Sequence, residues 1–497
     1  MTDDFTSVIR RISGAAAIAA ALLCGSCTES EPHPNVILVI VDDLGWRDVG
    51  AYGSEFYETP NIDRLAVEGT VFTQFYAASP VCSPTRASIM TGKHPARLHI
   101  TNWIGGERNG PLLQAEYERQ LPLEEFTIGE AFQAEGYATG YIGKWHLGVG
   151  EFMPTSQGFD TTIAVNDAGQ PASYFYPYKR GQPSVWDVPD LEDGEEGEYL
   201  TDRLTDEALG FIQGHRDEPF FLVLAHYAVH TPIQSREESA EFYRRKAGEL
   251  PSLEGPESAP EGGRAFTKIR QDHAAYGGMV ESVDESIGWI MARLAEWGLS
   301  ENTVVVFTSD NGGLSTLENR PTGAPTSNAP LRAGKGWLYE GGIRMPLIIW
   351  RSGGLAGGQP VVDQPAISTD LYPTLLGLAG LDVIPSQHLD GVNLTHLFGE
   401  YAEYVGSQLY WHFPHYHGSG NVPSSAVRVG DWKLIEWLET GRVELYDLST
   451  DLSETVNLAQ AMPGKAEELR QVLSNWREQV GAVMPQPNPD WGSRRND

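Results

Sequence analysis

Asn35-Val36-Ile37-Leu38-Val39-Ile40-Val41 is, after its first residue, an unbroken apolar run, largely β-branched, that stops at Asp42-Asp43. A run of this length without polar alternation suits a strand covered on both faces, as in a parallel sheet. The pattern recurs along the chain. Thr303-Val304-Val305-Val306-Phe307 leads to Asp310-Asn311, and Phe220-Phe221-Leu222-Val223-Leu224 leads to His226 and His230. Tyr137 to Ile142 leads to Lys144 and His146, and Leu347-Ile348-Ile349-Trp350 is a further run. Helical patterns fall between them. Met279, Val283, Ile287, Met291 and Leu294 share one helical face, with Gly298 where a C-cap is expected. Thr127 to Glu135 and Asp370 to Leu378 read as shorter helices. Such alternation predicts an α/β domain built on a mainly parallel sheet. In open parallel sheets, sites form beyond the carboxyl ends of the strands. Acids, a lysine and histidines follow most of these runs at that end.

The chain has 497 residues, 41% of them hydrophobic and 21% charged. That excludes a disordered chain, a collagen and a polytopic membrane protein. Lys plus Arg number 35 against 67 Asp plus Glu, a formal net charge of −32. A nucleic-acid binder is thereby disfavoured, whereas a small anionic substrate is compatible with a locally basic site. Arg236 to Gly263, charged and rich in Pro and Gly, reads as a surface insertion, and Asp190 to Glu207 as a solvated acidic loop and helix face. After about Pro385 the pattern changes to short strands at Leu409 to His412, Ala426 to Val429, Trp432 to Trp437 and Val443 to Leu448. A terminal helix follows, with Leu469, Leu473, Trp476 and Val480 on one face. This predicts a small antiparallel sheet covered by a helix. The expected organisation is a signal segment at 1–27, a catalytic α/β domain at 34–385 and a C-terminal subdomain at 386–490.

Arg10 and Arg11 precede an apolar run from Ile12 to Leu23 that is too short to span a bilayer as a mature helix. It reads as a secretory signal peptide. Leu22-Leu23-Cys24-Gly25-Ser26-Cys27 resembles a bacterial lipoprotein signal with Cys27 as the acylated first residue; the alternative is ordinary cleavage near Ser26. The expected location is the periplasm or the outer-membrane surface of a bacterium, with membrane attachment only through that lipid. Of the three cysteines, only Cys82 belongs to the body of the protein, so no disulfide framework can form there.

Around Cys82 the chain reads Val81-Cys82-Ser83-Pro84-Thr85-Arg86-Ala87-Ser88-Ile89-Met90-Thr91-Gly92. Pro84 suits the first turn of a helix, which puts Cys82 at an N-terminus where backbone N–H groups favour an anion. Arg86 lies one turn on. Alone, such a thiol reads as redox or nucleophilic. The extended motif, Cys82-Ser83-Pro84-Thr85-Arg86 continuing to Thr91-Gly92, resembles the signature of the type I sulfatases of the alkaline-phosphatase superfamily. Matching segments include Asp42-Asp43-Leu44-Gly45, Gly143-Lys144-Trp145-His146-Leu147-Gly148, Ser309-Asp310-Asn311-Gly312-Gly313, Gly334-Lys335-Gly336 and Tyr339-Glu340-Gly341-Gly342. The resemblance runs from about Pro34 to Leu458. It implies an alkaline-phosphatase-like fold: a large mixed, mainly parallel sheet sandwiched by helices, with a smaller C-terminal antiparallel sheet plus helix.

The resemblance further implies that a formylglycine-generating maturation enzyme oxidises Cys82 to formylglycine. Its hydrate is a geminal diol, and the second hydroxyl lets sulfate leave where a serine ester would wait for water. Asp42, Asp43, Asp310 and Asn311 match the oxygen ligands of one calcium ion, with the modified Cys82 as a further ligand. Arg86 matches the residue holding the diol, and Lys144 and Lys335 the lysines on sulfate. His146 matches the base taking the diol proton, and His230 the histidine serving the leaving oxygen. The implied activity is sulfuric ester hydrolysis. Ala96 to Trp103 and Trp411-His412-Phe413-Pro414-His415-Tyr416-His417 resemble exported bacterial sulfatases acting on sulfated glycans. They suggest a sulfated galactose or N-acetylgalactosamine unit, with His412, His415 and His417 as sugar contacts. One alternative is a phosphate mono- or diester hydrolase of the same superfamily, against which Cys82 argues, because those relatives use Ser or Thr. The other is an inactive glycan-binding lipoprotein.

Overall fold

The computed structural model describes residues 33–355, 361–398 and 408–491. Cys24, Cys27 and the expected signal segment therefore lie outside the described residues. Strand β1 (Asn35–Val41) is buried at every position. Its side chains alternate between two cores. Val36, Leu38 and Ile40 join one apolar cluster, and Ile37, Val39 and Val41 join the other. Both faces are covered, so the run from Val36 to Val41 is unbroken and apolar, while the buried Asn35 at its start donates to Thr303 Oγ1 at 3.3 Å.

Parallel neighbours flank β1 on both sides: β5 (Phe220–His226) and β8 (Thr303–Ser309). The nine-stranded sheet also contains β2 (Thr70–Tyr76), β3 (Ala138–Gly143), β4 (Thr161–Ile163), β10 (Arg344–Arg351), β11 (Val361–Val362) and β12 (Ala366–Ile367). Its order is β11-β2-β10-β8-β1-β5-β3-β4, with β12 also pairing β2. The β10 strand runs antiparallel to both β8 and β2 and makes the sheet mixed. The helix Ala274–Glu296 packs Met279, Val283, Ile287 and Leu294 into one of the two cores. Helices Cys82–Thr91 and Leu371–Leu378 line the other.

Residues 236–263 differ from the expected plain insertion. They hold a helix, Glu237–Glu249, and the strand β6 (Ser258–Gly262), which with β7 (Ala265–Lys268) and β9 (Thr316–Glu318) forms a three-stranded antiparallel sheet. The helix buries only Ser239, Ala240 and Tyr243, a stripe too narrow to stand out in so charged a sequence.

Farther on, β13 (Gln408–Phe413), β14 (Ser424–Val429), β15 (Trp432–Trp437) and β16 (Arg442–Asp447) form a four-stranded antiparallel sheet in sequence order. One face carries the helix Pro463–Val480, whose Leu469, Leu473 and Trp476 pack with Val427, Leu434 and Leu445. The other face sets Trp411, Phe413, Ala426 and Ile435 against Ala333, Trp337, Tyr339 and Ile343. Each fully buried large apolar side chain contributes roughly 1.5–3 kcal/mol. The loop bearing Lys335 is therefore wedged between the two sheets. Among the described residues, no helix is long and apolar enough to cross a membrane.

Candidate active site

Four parallel strands, β3, β5, β1 and β8, end on one side of the sheet, and their carboxyl ends supply the site. Asp42 and Asp43 follow β1, and Asp43 takes a left-handed backbone (φ 61°) that turns its side chain back toward β8. There the Asp43 amide donates to Asp310 Oδ1 at 3.1 Å, and Asn311 Nδ2 donates to Asp43 Oδ1 at 2.9 Å. Cys82 opens the helix Cys82–Thr91 and is 2% exposed. One turn on, Arg86 donates from Nε to Asp310 Oδ2 at 2.8 Å and from Nη1 to the Lys144 carbonyl at 2.7 Å. Lys144, just past β3, sits 2.6 Å from Asp42 Oδ2, and Lys335 sits 2.6 Å from Asp43 Oδ1.

The histidine protons follow from their partners. His146 Nε2 lies 3.1 Å from the Ile104 carbonyl, which can only accept, so the proton is on Nε2. Its Nδ1 is buried without a hydrogen-bond partner and carries the lone pair. His230 Nδ1 lies 3.0 Å from the Thr231 carbonyl and is protonated by the same logic, leaving Nε2 to face Asp43 Oδ2 at 3.6 Å. Burial, reinforced by Lys144, lowers His146 to about 3, and burial with Lys335 lowers His230 to about 3. Burial opposes ionisation of Asp43, but Lys335, with Lys144 beyond it, outweighs it and holds the carboxyl well below its ordinary range.

These groups meet at a cavity of about 290 Å³. Asp43, Cys82, His146, His230 and Lys335 form its floor, and Trp103, Gln170, Trp186, Leu314 and His417 its walls. Asp42, Arg86, Lys144, Asp310 and Asn311 lie behind the floor, all buried.

The oxygens also fit a divalent cation. Asp42 Oδ1, Asp43 Oδ2 and Asn311 Oδ1 are all buried without a hydrogen-bond partner. Orphaned buried oxygens of this kind are costly. Cys82, Asp42 and Asp310 each offer a ligand atom, and these atoms lie within 4.8 Å of one another. Carboxylate and amide oxygens are the donors a hard cation such as calcium prefers.

Of the three histidines expected to touch a sugar, the structure brings only His417 to the cavity. His412 is 2% exposed, with Nδ1 2.8 Å from Ser425 Oγ and Nε2 3.0 Å from the Val483 carbonyl. His415 is fully buried, with Nε2 2.8 Å from Thr101 Oγ1. Both expectations are corrected: His412 spends both ring nitrogens on interior hydrogen bonds, His415 is buried with Nε2 on Thr101, and neither ring lines the cavity. His417 reaches the cavity because Gly336 makes room, since a Cβ there would come within 2.1 Å of His417 Nδ1.

Sequence reasoning missed the walls Gln170, Trp186 and Leu314. It also missed Asn328, whose Nδ2 lies 2.9 Å from the Gly313 carbonyl, 3.1 Å from that of Ala333 and 3.0 Å from that of Gly341. That one amide ties together the loops carrying Asn311, Lys335 and Glu340. Nothing local in the sequence signals either role.

The protein-family model described as Sulfatase matches residues 34–381, and one described as N-sulphoglucosamine sulphohydrolase, C-terminal, matches residues 333–480. The chain is 34% identical to N-acetylgalactosamine-6-sulfatase of Mus musculus over 88% of this chain and 78% of that one. It is 30% identical to a sulfatase of Formosa agariphila over 89% of this chain and 88% of that one. Among solved structures, Ps i-CgsB in complex with k-i-k-neocarrahexaose superposes with a TM-score of 0.70 at 28% identity, covering 93% of this chain and 97% of that one. With its sheet order, its C-terminal sheet and these matches along most of its length, the chain belongs to the sulfatase family of sulfuric ester hydrolases.

Proposed function

We propose that the protein removes sulfate from a sulfated carbohydrate, a galactose or N-acetylgalactosamine unit of a polysaccharide, with formylglycine at position 82 as its nucleophile. One observation carries the reading: Cys82 sits at a helix N-terminus on the floor of a cavity shared with Lys335, His146 and His230. An N-terminus favours an anion, and the lysine adds charge where sulfuryl oxygens must be held. Relatives named N-acetylgalactosamine-6-sulfatase and a structural neighbour solved in complex with k-i-k-neocarrahexaose support this choice of substrate.

Asp42, Asp43, Asp310 and Asn311 are the residues that would hold calcium. Hydrated formylglycine supplies a nucleophilic hydroxyl and a second hydroxyl through which sulfate can leave, and calcium supplies positive charge for the sulfuryl oxygens. The other roles belong to the side chains. Arg86, anchored on Asp310 and the Lys144 carbonyl, keeps the helix N-terminus in register with β3 and β8. Lys144 and Lys335 bind the anionic group. His146 offers the lone pair on Nδ1 as the proton acceptor, its ring fixed by the Ile104 carbonyl. His230, fixed through Nδ1, serves the leaving oxygen only once Nε2 has taken up a proton, which it then passes on. His417 contacts the sugar. Export through residues 1–27, with Cys27 as the lipid-bearing residue, is part of the same proposal.

The test is sulfate release from a panel of sulfated mono- and oligosaccharides, with phosphate esters alongside. The protein is co-expressed with a formylglycine-generating enzyme, and Cys82→Ala is the control. Sulfate release that disappears in the control is the expected result. Phosphate release alone, with formylglycine confirmed at residue 82 by peptide mass, would overturn the proposal.

A further inference from the structure

The floor of the cavity is charged, and its walls are mostly not. Trp103 and Leu314 are apolar, and Trp103 leans on the His146 ring with centroids 6.4 Å apart. Trp186 is different in kind. Trp145, Trp337 and Trp411 are all buried, yet Trp186 is 50% exposed. It does not ride on a free loop tip. The Ala172 amide donates to the Trp186 carbonyl at 2.7 Å, the Trp186 amide donates to Ser184 Oγ at 3.2 Å, and Asn166 Nδ2 donates to the Asp187 carbonyl at 3.0 Å. The backbone is therefore pinned on both sides of an indole left half in water. A lone exposed aromatic is ordinary on a protein surface. This one is held in place at the wall of the cavity that holds Cys82.

The size of the space limits a ligand there. About 290 Å³ is the small end of the range for small-molecule sites. A space of that size suits one sulfated sugar unit at the floor. A pyranose has two chemically different aspects: a face of C–H groups and an edge of hydroxyls. An indole face meets the first by dispersion and by releasing water. Gln170 meets the second. Its Oε1 accepts from the Thr231 hydroxyl at 3.1 Å, which orients the carboxamide and leaves the Nε2 protons for a sugar oxygen.

We propose that Trp186 is a specificity-determining residue. It stacks on the C–H face of a single sulfated pyranose whose sulfate rests on the Cys82–Lys335 floor, while Gln170 donates to a ring hydroxyl. This rests on the sulfated-sugar reading above and adds the wall that reads the sugar.

The test is steady-state kinetics on the best sulfated monosaccharide of the panel for wild type, Trp186→Ala and Trp186→Phe, with formylglycine at residue 82 confirmed in each. Inhibition by inorganic sulfate is measured in parallel, because sulfate needs only the floor. Trp186→Ala is expected to raise KM about tenfold or more with kcat moving less than about threefold, a loss of binding shared by ground and transition states. Trp186→Phe is expected to recover most of KM, and sulfate inhibition to stay within about twofold of wild type in both variants. An unchanged KM in Trp186→Ala, a phenylalanine variant no better than alanine, or equal weakening of sulfate inhibition would each overturn the wall. A wild type that releases sulfate from no sugar would overturn the sulfated-sugar reading itself, and the wall with it.

Discussion

His412 and His417 come from one short stretch, yet only His417 reaches the cavity. Composition made them look alike, and the hydrogen-bond partners separate them. Val483 and Ser425 take both ring nitrogens of His412. The Val483 carbonyl can only accept, so Nε2 carries the proton and Nδ1 accepts from the serine; protonating the ring breaks that second bond. Burial lowers His412 to about 4. The unfolded chain, with an ordinary histidine near 6.5, therefore takes up the proton first as pH falls. The stability contributed by the neutral ring is complete above about 6.5 and is lost as pH falls toward 4, up to about 3 kcal/mol. His412→Ala should leave kcat/KM for the best sugar within about twofold and cost about 1–3 kcal/mol at pH 7 by stranding its partners. Because the variant lacks this titration, its deficit against wild type should shrink between pH 7 and 5 in thermal melts. A large loss of kcat/KM in a folded variant would return His412 to the site. At this scale the cluster was legible from motifs and strand ends: Cys82, the acids after β1 and β8, Lys144 and Lys335 do lie together. Trp186, Gln170 and Asn328 were not legible. Tryptophan, glutamine and asparagine serve many purposes, and only packing shows which one.

The loop from Ala333 to Ile343 is where the two sheets meet, and one buried ion cluster fixes it. Lys433 Nζ on β15 lies 2.9 Å from Glu340 Oε1 and 2.8 Å from Glu454 Oε1, all three side chains fully buried. Glu454 Oε2 also accepts the Glu340 amide at 2.6 Å. Two residues on, the Gly342 carbonyl accepts the Gly312 amide at 3.0 Å, next to Asn311. The C-terminal sheet thus holds the same loop system that carries Lys335. Removing one partner from a buried cluster strands the others, at a cost of about 3–5 kcal/mol. Lys433→Met should therefore lower the melting temperature strongly and weaken inhibition by inorganic sulfate, because the Lys335 loop loses its outer anchor. A Lys433→Met variant that melts with wild type would show that the cluster holds nothing in place. The elements themselves were largely legible. Apolar runs marked β1, β3, β5 and β8, and the short strands near the end marked the small sheet. The direction of β10 was not legible, because burial on both faces writes the same residues in a parallel or an antiparallel strand. The helix Glu237–Glu249 was masked by its own charge.

For the molecule as a whole, the net charge of −32 acts at a distance that the site's cations cannot match. Arg86, Lys144 and Lys335 are each paired with Asp310, Asp42 or Asp43 at 2.6–2.8 Å. Seen from beyond a few ångströms those pairs nearly cancel, and the far field is that of the acidic surface. A sulfated polymer approaching the cavity meets repulsion first and the anion-binding floor only on contact. Salt shortens the first interaction, with a Debye length of about 30 Å at 0.01 M and about 8 Å at 0.15 M, and screens the buried floor much less. For a sulfated polysaccharide, kcat/KM should therefore rise severalfold between 0.01 and 0.15 M salt. A singly sulfated monosaccharide, which carries one charge into the field instead of many, should show a much smaller rise. Initial rates at low substrate concentration across that salt range measure both. If the polymer's kcat/KM instead falls steadily from the lowest salt, the field at the mouth is attractive, and an unpaired basic rim steers the substrate despite the net charge.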